Sequence, residues 1–185
     1  MVSPRPAPDL KLRREQITAL ARDVAEAEGW AAVTMRRLSG DLGVTQPVLY
    51  SAFAGRQALI DAVALDGFAT LTAALEAAPA TPLARMQAYL DFAAAHPNIY
   101  EAMFSMPSEL RFAEDAHQPL TRAFTAIRDA FPPHDQDEDS DAGDVRAEVA
   151  WATLHGLATL QASGRLPAER AQARLEAAHR MLTNP

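Results

Sequence analysis

The side chains of this sequence that are best suited to specific recognition lie close together in the first third of the chain. Gln46 carries a carboxamide that can donate to and accept from the edge of one adenine at the same time. Thr45 and Pro47 beside it are further candidate contacts to base edges, and the hydroxyl groups of Tyr50 and Ser51 suit phosphate oxygens. These residue types and their spacing indicate recognition of double-stranded DNA.

Four more residues around this cluster are candidate phosphate contacts: Thr34, Arg36, Arg37 and Arg56. Proteins that bind DNA take at least half of their hydrogen bonds from its sugar-phosphate backbone. Two alternatives stay open. Thr34 and Thr45 either contact DNA or only cap helices, and Arg36 and Arg37 either bind phosphate or only form a solvated helix face.

A first short helix and a glycine turn would hold these residues in place. Thr34 is a good N-cap, and Leu38 and Leu42 lie four residues apart, on one face of a helix. Gly43 can take the left-handed backbone conformation that ends a helix. The sequence therefore predicts a helix from about Thr34 that stops at Gly43.

A second short helix would follow at once. Thr45 can cap it, and Pro47 is tolerated in the first turn, where N–H groups lack helical partners. Leu49 and Phe53 supply its buried pair, so the polar residues lie on the other side. Two short helices joined by a tight turn are typical of the helix-turn-helix, which places its second helix in the major groove.

At this point the chain resembles the tetracycline-repressor-like (TetR) family of bacterial transcription regulators over about residues 11 to 65. The resemblance rests on Thr34, Arg36, Leu38, Leu42, Gly43, Val44, Leu49, Tyr50 and Phe53. It implies a DNA-binding regulator that acts on an operator without a cofactor, and analogy at the level of the fold favours repression. We expect a homodimer that presents two copies of the second helix to the half-sites of a pseudo-palindrome.

The rest of the chain has helical spacing and no alternating strand pattern, so the predicted class is all-α: a three-helix domain followed by a helical bundle. Helices are predicted at about 83–95, 98–106, 117–131, 144–163 and 167–182, with an earlier helix over 56–78. The predicted division is an arm over 1–10, a DNA-binding domain over 11–57 and an effector-binding and dimerisation domain over 58–185.

Trp151, His155 and Gly156 resemble a C-terminal domain variant known for its Trp-x-x-x-His-Gly pattern. The resemblance implies an all-helical domain that dimerises through its last two long helices and encloses a pocket for a small-molecule effector. The candidate ligand-binding residues are Phe92, Met103, Phe104, Trp151 and His155. Residues of these types at helical spacing more often fill a core, so that alternative stays open.

Charge separates the two parts of the chain. The net charge is −7, yet residues 1–60 carry eight basic and six acidic side chains. Because affinity for phosphate comes from Lys and Arg, DNA contacts are expected in the first third. There is no cysteine, the five histidines have no metal-ligand spacing, and no nucleophile or phosphate-loop motif is present. We therefore predict no catalytic residue, no metal and no cofactor.

Two segments have a biased composition. Arg5, Lys11, Arg13 and Arg14 precede the first predicted helix as a basic arm, which either contacts DNA or has no role. Pro132 to Asp144 is rich in acidic residues, but glycine is missing at the sixth place of a calcium loop counted from Asp137, so a solvated loop is favoured. No signal peptide or membrane-spanning run is predicted, and the expected location is the cytoplasm.

Overall fold

The structure, a computed structural model, describes residues 10–108, 110, 118–131 and 142–183. Within these ranges every regular element is a helix, which confirms the predicted all-α class. The helices are α1 (Leu10–Glu28), α2 (Met35–Asp41), α3 (Gln46–Ala52), α4 (Arg56–Ala77), α5 (Pro82–Ala95), α6 (Pro97–Phe104), α7 (Gln118–Arg128), α8 (Ala142–Ala162) and α9 (Ala171–Thr183). A short 3-10 turn, Ala168–Arg170, leads into α9.

The start of α1 differs from the prediction. The helix begins at Leu10, so Lys11, Arg13 and Arg14 lie in its first turns and not in an arm before it. The physical reason is that these residues are all good helix formers, whereas the prediction began the helix at the first buried residues. The rest of the predicted arm, residues 1–9, and residues 132–141 of the acidic segment lie outside the described residues.

The chain folds into two compact units. The first contains the described residues up to Asp66 and again from Asn98, and the second contains Gly67–Pro97 and the described residues from Leu110 onward. The change from one unit to the other therefore falls inside α4, at the start of α6 and once more before Leu110. No local pattern indicated that α6 would join the first unit.

The core of the first unit holds the helix-turn-helix together. Ile17 of α1, Leu38 of α2, and Leu49 of α3 are fully buried, as is Leu59 of α4. Each buried leucine or isoleucine contributes roughly 1.5–3 kcal/mol relative to an exposed one. Because α3 packs on both α1 and α2, its orientation is fixed by two helices that are themselves anchored in the core.

The second unit is a bundle in which α5 packs against α8 and α9, and α7 packs against α8. Leu75 of α4, Met86 and Tyr89 of α5, and Ala150 of α8 are fully buried. The helices of this unit are rich in alanine, so neighbouring backbones can approach closely. The bundle therefore has a core made of a few large side chains and many small ones.

Among the described residues, one helix, α4, is long and apolar enough to cross a membrane by length and composition alone. A buried core helix passes the same test, so α4 does not contradict the prediction that no run spans a membrane. Half of the apolar stretch is buried inside the protein, with Leu59 and Val63 in the first unit and Phe68 and Leu71 in the second. Its apolar composition is explained by its role as a core helix of both units.

Candidate nucleic-acid interface

The turn between α2 and α3 has the geometry that the sequence predicted. Thr34 is extended (φ −127°, ψ 149°), and its hydroxyl accepts a hydrogen bond from the backbone N–H of Arg37 at 3.1 Å. Gly43 adopts a left-handed conformation (φ 63°), and Val44 N–H then donates to the carbonyl of Ser39 at 3.0 Å. An L-residue with a side chain would be strained at Gly43, so this glycine defines the corner.

The predicted base-contacting residues lie at the exposed start of α3. Thr45 takes the extended conformation of an N-cap, but its side chain makes no capping hydrogen bond. Thr45, Gln46 and Pro47 are all exposed, while Leu49 is fully buried beneath them. The hydroxyl of Thr45 and the carboxamide of Gln46 therefore face solvent, as groups that read base edges must.

The two predicted hydroxyl contacts on α3 differ. Tyr50 is 52% exposed, which leaves its ring and hydroxyl accessible. Ser51 is also exposed, but its hydroxyl donates to the backbone carbonyl of Val48 at 2.7 Å. Ser51 therefore uses its proton inside the helix and can offer a DNA phosphate donor only by breaking that bond, whereas Tyr50 has no such requirement.

The neighbouring arginines of α2 have unlike surroundings. The guanidinium of Arg37 contacts Glu28 at 2.9 Å and Asp41 at 2.6 Å. Hydrogen bonds to Glu28 and then Asp41 raise the pKa of Arg37 above its usual value, so it is permanently charged and its charge is already balanced. Among the described residues, Arg36 makes no comparable ion pair and is exposed. Of the two arginines, Arg36 is therefore the one whose charge is available to bind phosphate.

Arg56, at the start of α4, makes hydrogen bonds that stabilise the DNA-binding unit. Its Nε donates to the carbonyl of Val33 at 3.2 Å and one terminal nitrogen donates to the carbonyl of Trp30 at 2.8 Å. These bonds tie the loop between α1 and α2 to α4. Two of the five guanidinium N–H groups point along these bonds, which leaves others for a phosphate.

Arg14 was not among the predicted site residues, yet it holds α3 in position. Its guanidinium lies 4.2 Å from the centre of the Phe53 ring and donates to the backbone carbonyl of Ala52. Both contacts are at the C-terminal end of α3. No local pattern could reveal them, because Arg14 and Ala52 are 38 residues apart in sequence and Phe53 is one residue further.

The first unit also holds α6 through hydrogen bonds at both ends. Near its start, Trp30 Nε1 donates to the carbonyl of Asn98 at 2.8 Å, and Glu26 accepts from the backbone N–H of Ile99 at 2.9 Å. Beyond its end, Ser108 donates to the carboxylate of Asp61 at 3.0 Å. No local pattern indicated these bonds, which attach the start of α6 to α1 and the loop after it, and the segment beyond α6 to α4.

The five predicted ligand-binding residues fall in different units. Met103 and Phe104 belong to α6 in the first unit, where Phe104 packs on Tyr100 with ring centres 4.7 Å apart. Phe92, Trp151 and His155 belong to the second unit. The structure therefore does not bring the five together within one compact unit.

The residues of this set in the second unit are partly engaged in packing. Trp151 Nε1 donates to the hydroxyl of Tyr89 at 3.2 Å, and its ring lies 6.0 Å from that of Phe124. Phe92 is buried and packs on His96 with ring centres 5.1 Å apart. Burial lowers the pKa of His155 below its usual value, because the charged imidazolium loses hydration.

Comparison with known protein families agrees with this architecture. Residues 17–63 match the family described as bacterial regulatory proteins, tetR family. Residues 82–184, more than half of the chain, match the family described as tetracyclin repressor-like, C-terminal domain. The two matches cover the helix-turn-helix and the helical bundle respectively.

Individual relatives share part of the sequence or the fold. The tetracycline repressor protein class C of Escherichia coli is 43% identical over 54 residues, which are 29% of this chain and 25% of that protein. The crystal structure of the protein SCO4313 aligns with a TM-score of 0.74 and 22% identity, over 99% of this chain and all of that chain. A Rhodococcus sp. RHA1 protein of unknown function aligns with a TM-score of 0.66 and 28% identity, over 98% and 97%. By its two family matches, this chain belongs to the TetR family of DNA-binding transcriptional regulators.

Proposed function

We propose that the chain is a repressor that binds a pseudo-palindromic operator as a homodimer and releases it when a small-molecule effector binds. The observation that carries the DNA-binding part is the exposed start of α3, with Thr45, Gln46 and Pro47 facing solvent above the fully buried Leu49. Such a helix offers hydrogen-bonding groups to base edges while its other side is fixed in the core. A bacterial regulator of this kind works where the chromosome is, in the cytoplasm.

The DNA contacts divide into residues that recognise base edges and residues that bind the phosphate backbone. Thr45, Gln46 and Pro47 read bases, and Gln46 pairs with an adenine. Tyr50 and Arg36 bind phosphate through groups that are exposed. Further contacts to the backbone come from Thr34, Arg37, Ser51 and Arg56, whose side chains also hold the fold through the bonds described above.

Dimerisation is supported by the exposed face of α8. Val145 and Val149 are 56% and 53% exposed, and Leu160 is 40% exposed. With Ala152 and Gly156 they recur at steps of three and four residues, so they form one apolar stripe along the helix. A Cβ built on Gly156 would meet nothing within 4 Å, which leaves room for the backbone of a second copy. A stripe of this kind is costly in water and suits the self-complementary interface of a two-fold dimer.

Release of the operator by an effector requires that the two units be coupled, and two stretches of the chain connect them. The helix α4 continues from Asp66 to Gly67, where the first unit ends and the second begins. The second stretch is Pro97–Asn98, where α5 of the second unit leads into α6, whose first residues are hydrogen-bonded to Glu26 of α1 and to Trp30 just after it. An effector that favours one position of these helices changes operator affinity by a coupling of about 1–3 kcal/mol, or about 5- to 150-fold.

A second candidate function keeps the DNA-binding part and omits the effector: a regulator whose second bundle only dimerises. The alanine-rich packing of the bundle and the hydrogen bond between Trp151 and Tyr89 favour it, because both are expected of a bundle that needs no cavity. A ligand that binds the second unit and changes operator affinity would exclude this candidate.

The test of the proposed function is an unbiased selection of binding sequences from random double-stranded DNA with the full chain. We expect an enriched site with two inverted half-sites whose centres lie about 34–36 Å apart, or a multiple of that distance. Enrichment of a single asymmetric half-site would contradict the dimer, and no enrichment at all would contradict operator recognition by α3.

A further inference from the structure

Arg14 is one of the basic residues near the start of the chain, and its contacts lie at one end of α3. The guanidinium carbon of Arg14 lies 4.2 Å from the centre of the Phe53 ring. The same guanidinium donates a hydrogen bond to the backbone carbonyl of Ala52. Ala52 is the last residue of α3, and Phe53, which follows it, is 1% exposed. Arg14 therefore joins α1 to the buried C-terminal end of α3.

The helix α3 depends on such contacts for its orientation. It has seven residues, Gln46–Ala52, and helices this short are not stable by themselves in water. At its N-terminal end, Thr45 makes no side-chain capping hydrogen bond, and the exposed groups there have to stay accessible to DNA. At its C-terminal end, the last carbonyls lack partners within the helix, so a cation that donates to one of them also stabilises the negative end of the helix dipole. Arg14 supplies this cation at the end of α3 that lies away from Thr45.

We propose that Arg14 is a positioning residue for operator recognition, which fixes the tilt of α3 through Phe53 and Ala52 and binds no phosphate itself. The proposal rests on the proposed function, in which the start of α3 recognises base edges. A planar guanidinium that stacks on a ring and bonds to a carbonyl meets both contacts in one orientation, so it fixes a direction as well as a distance. Hydrogen bonds to base edges depend steeply on that direction, whereas attraction to phosphate falls slowly with distance.

Loss of Arg14 should therefore lower specificity more than general affinity for DNA. Arg14→Met keeps the length of the side chain but removes its charge and its donors. We expect it to bind the selected operator about 10-fold more weakly, as the loss of one charged hydrogen bond and one cation–π contact would give, and an unrelated duplex almost as tightly as before. The slope of log affinity against log salt should stay unchanged, and fluorescence anisotropy over a range of salt concentrations measures it.

Two results would show that Arg14 binds phosphate and would overturn the proposal. The first is an equal loss on both duplexes, with a salt slope reduced by about 0.9. The second is full operator affinity in Arg14→Lys, because lysine keeps the charge but lacks the planar group that both contacts use. We expect Arg14→Lys to bind the operator more weakly than the original protein. Arg165→Met, at an exposed arginine of the second unit, is the matched control and should leave both affinities and the slope unchanged.

Amide hydrogen exchange without DNA tests whether Arg14 stabilises the end of α3, independently of any operator. The backbone N–H of Phe53 donates to the Leu49 carbonyl at 2.9 Å, at the end of α3 that Arg14 contacts. We expect this amide to exchange about 10-fold faster in Arg14→Met, because the helix end opens more often. The N–H of His96, at the end of α5 in the second unit, is the control and should exchange at its original rate. An unchanged rate at Phe53 would overturn the positioning role.

Failure of this proposal can be distinguished from failure of the proposed function. A chain that selects no operator would contradict the proposed function, and with it any role of Arg14 in recognition, even if the Phe53 amide exchanges faster in Arg14→Met. A chain that selects an operator, and whose affinity and amide exchange are both unchanged by Arg14→Met, keeps the proposed function and loses the positioning role.

Discussion

The α2–α3 region and the exposed apolar stripe of α8 both offer a candidate binding surface, but they differ in how function is encoded. In the first, the exposed groups are polar, consecutive in sequence and set by local rules such as caps and a left-handed glycine. In the second, Val145, Val149 and Leu160 recur at the helical spacing that core residues also have, and only their exposure distinguishes them. Polar recognition surfaces are visible in a sequence, whereas an exposed apolar surface is visible only in three dimensions.

The largest expected effect comes from a charge placed in the apolar stripe of α8, which is the proposed dimer interface. Val149→Asp places a carboxylate in the apolar stripe, and two-fold symmetry introduces it twice. We expect a monomer by light scattering after size exclusion, with operator affinity lowered by at least about 100-fold, since burial of a charge costs several kcal/mol.

Leu12→Asp is the matched control for the oligomeric state, because Leu12 is a similarly exposed apolar residue on α1. It should remain a dimer. A Val149→Asp variant that stays dimeric at micromolar concentration would show that α8 does not form the interface.

The next comparison is between a residue that recognises bases and a residue that binds phosphate, both in the first unit. Gln46→Ala should lower affinity for the selected operator by about 5- to 150-fold and relax discrimination at one base position. Arg36→Ala should weaken binding to all sequences alike and reduce the slope of log affinity against log salt by about 0.9. Fluorescence anisotropy over a range of salt concentrations measures both.

Arg165→Ala, an exposed arginine of the second unit, is the control for net charge in that comparison. It should leave the slope unchanged. If Gln46→Ala weakens every sequence equally, Gln46 does not read a base.

The two tryptophans allow the same substitution in each unit. Trp30→Phe removes the donor to the Asn98 carbonyl, and Trp151→Phe removes the donor to the Tyr89 hydroxyl. We expect each to lower the free energy of unfolding by about 1–3 kcal/mol, with Trp30→Phe the larger, because a hydroxyl can rotate to another partner and a carbonyl cannot. Urea unfolding measures the loss, and the remaining tryptophan reports on the other unit. A larger loss for Trp151→Phe would contradict this ranking.

The smallest expected effect concerns pH. Burial lowers the pKa of folded His155 below the unfolded value of 6.5, so the unfolded state binds more protons than the folded state as the pH falls. His155 therefore contributes stability that is present above pH 6.5 and is lost as the pH falls through the lowered folded pKa. His155→Asn should reduce the change in melting temperature between pH 7 and pH 5 relative to the original protein. An unchanged dependence on pH would contradict the assignment.

The sequence predicted the parts of this structure that depend on neighbours in the chain. Thr34, Gly43 and Leu49 each have the conformation or burial that local capping and periodicity predicted. It did not predict contacts between distant residues, such as Arg14 on Phe53 or Glu26 with Ile99, because no local pattern records which distant partner completes a hydrogen bond.

The candidate ligand residues illustrate the same limit. Trp151 and His155 are one helical turn apart, so their common face could be predicted, but Met103 and Phe104 fold into the other unit. The roles of Arg36 and Arg37 also could not be separated by sequence, since the difference between them is that Glu28 and Asp41 reach only one of the pair.

A symmetric dimer that places two α3 helices in successive major grooves requires a fixed spacing between the two half-sites of its operator. Operator affinity of the full chain is compared for the selected site and for the same site with five base pairs inserted between its half-sites. The insertion turns one half-site by about half a helical turn, because a full turn takes about 10–10.5 base pairs. We expect the affinity to fall to that of an isolated half-site, and an affinity unchanged by the insertion would contradict the symmetric dimer.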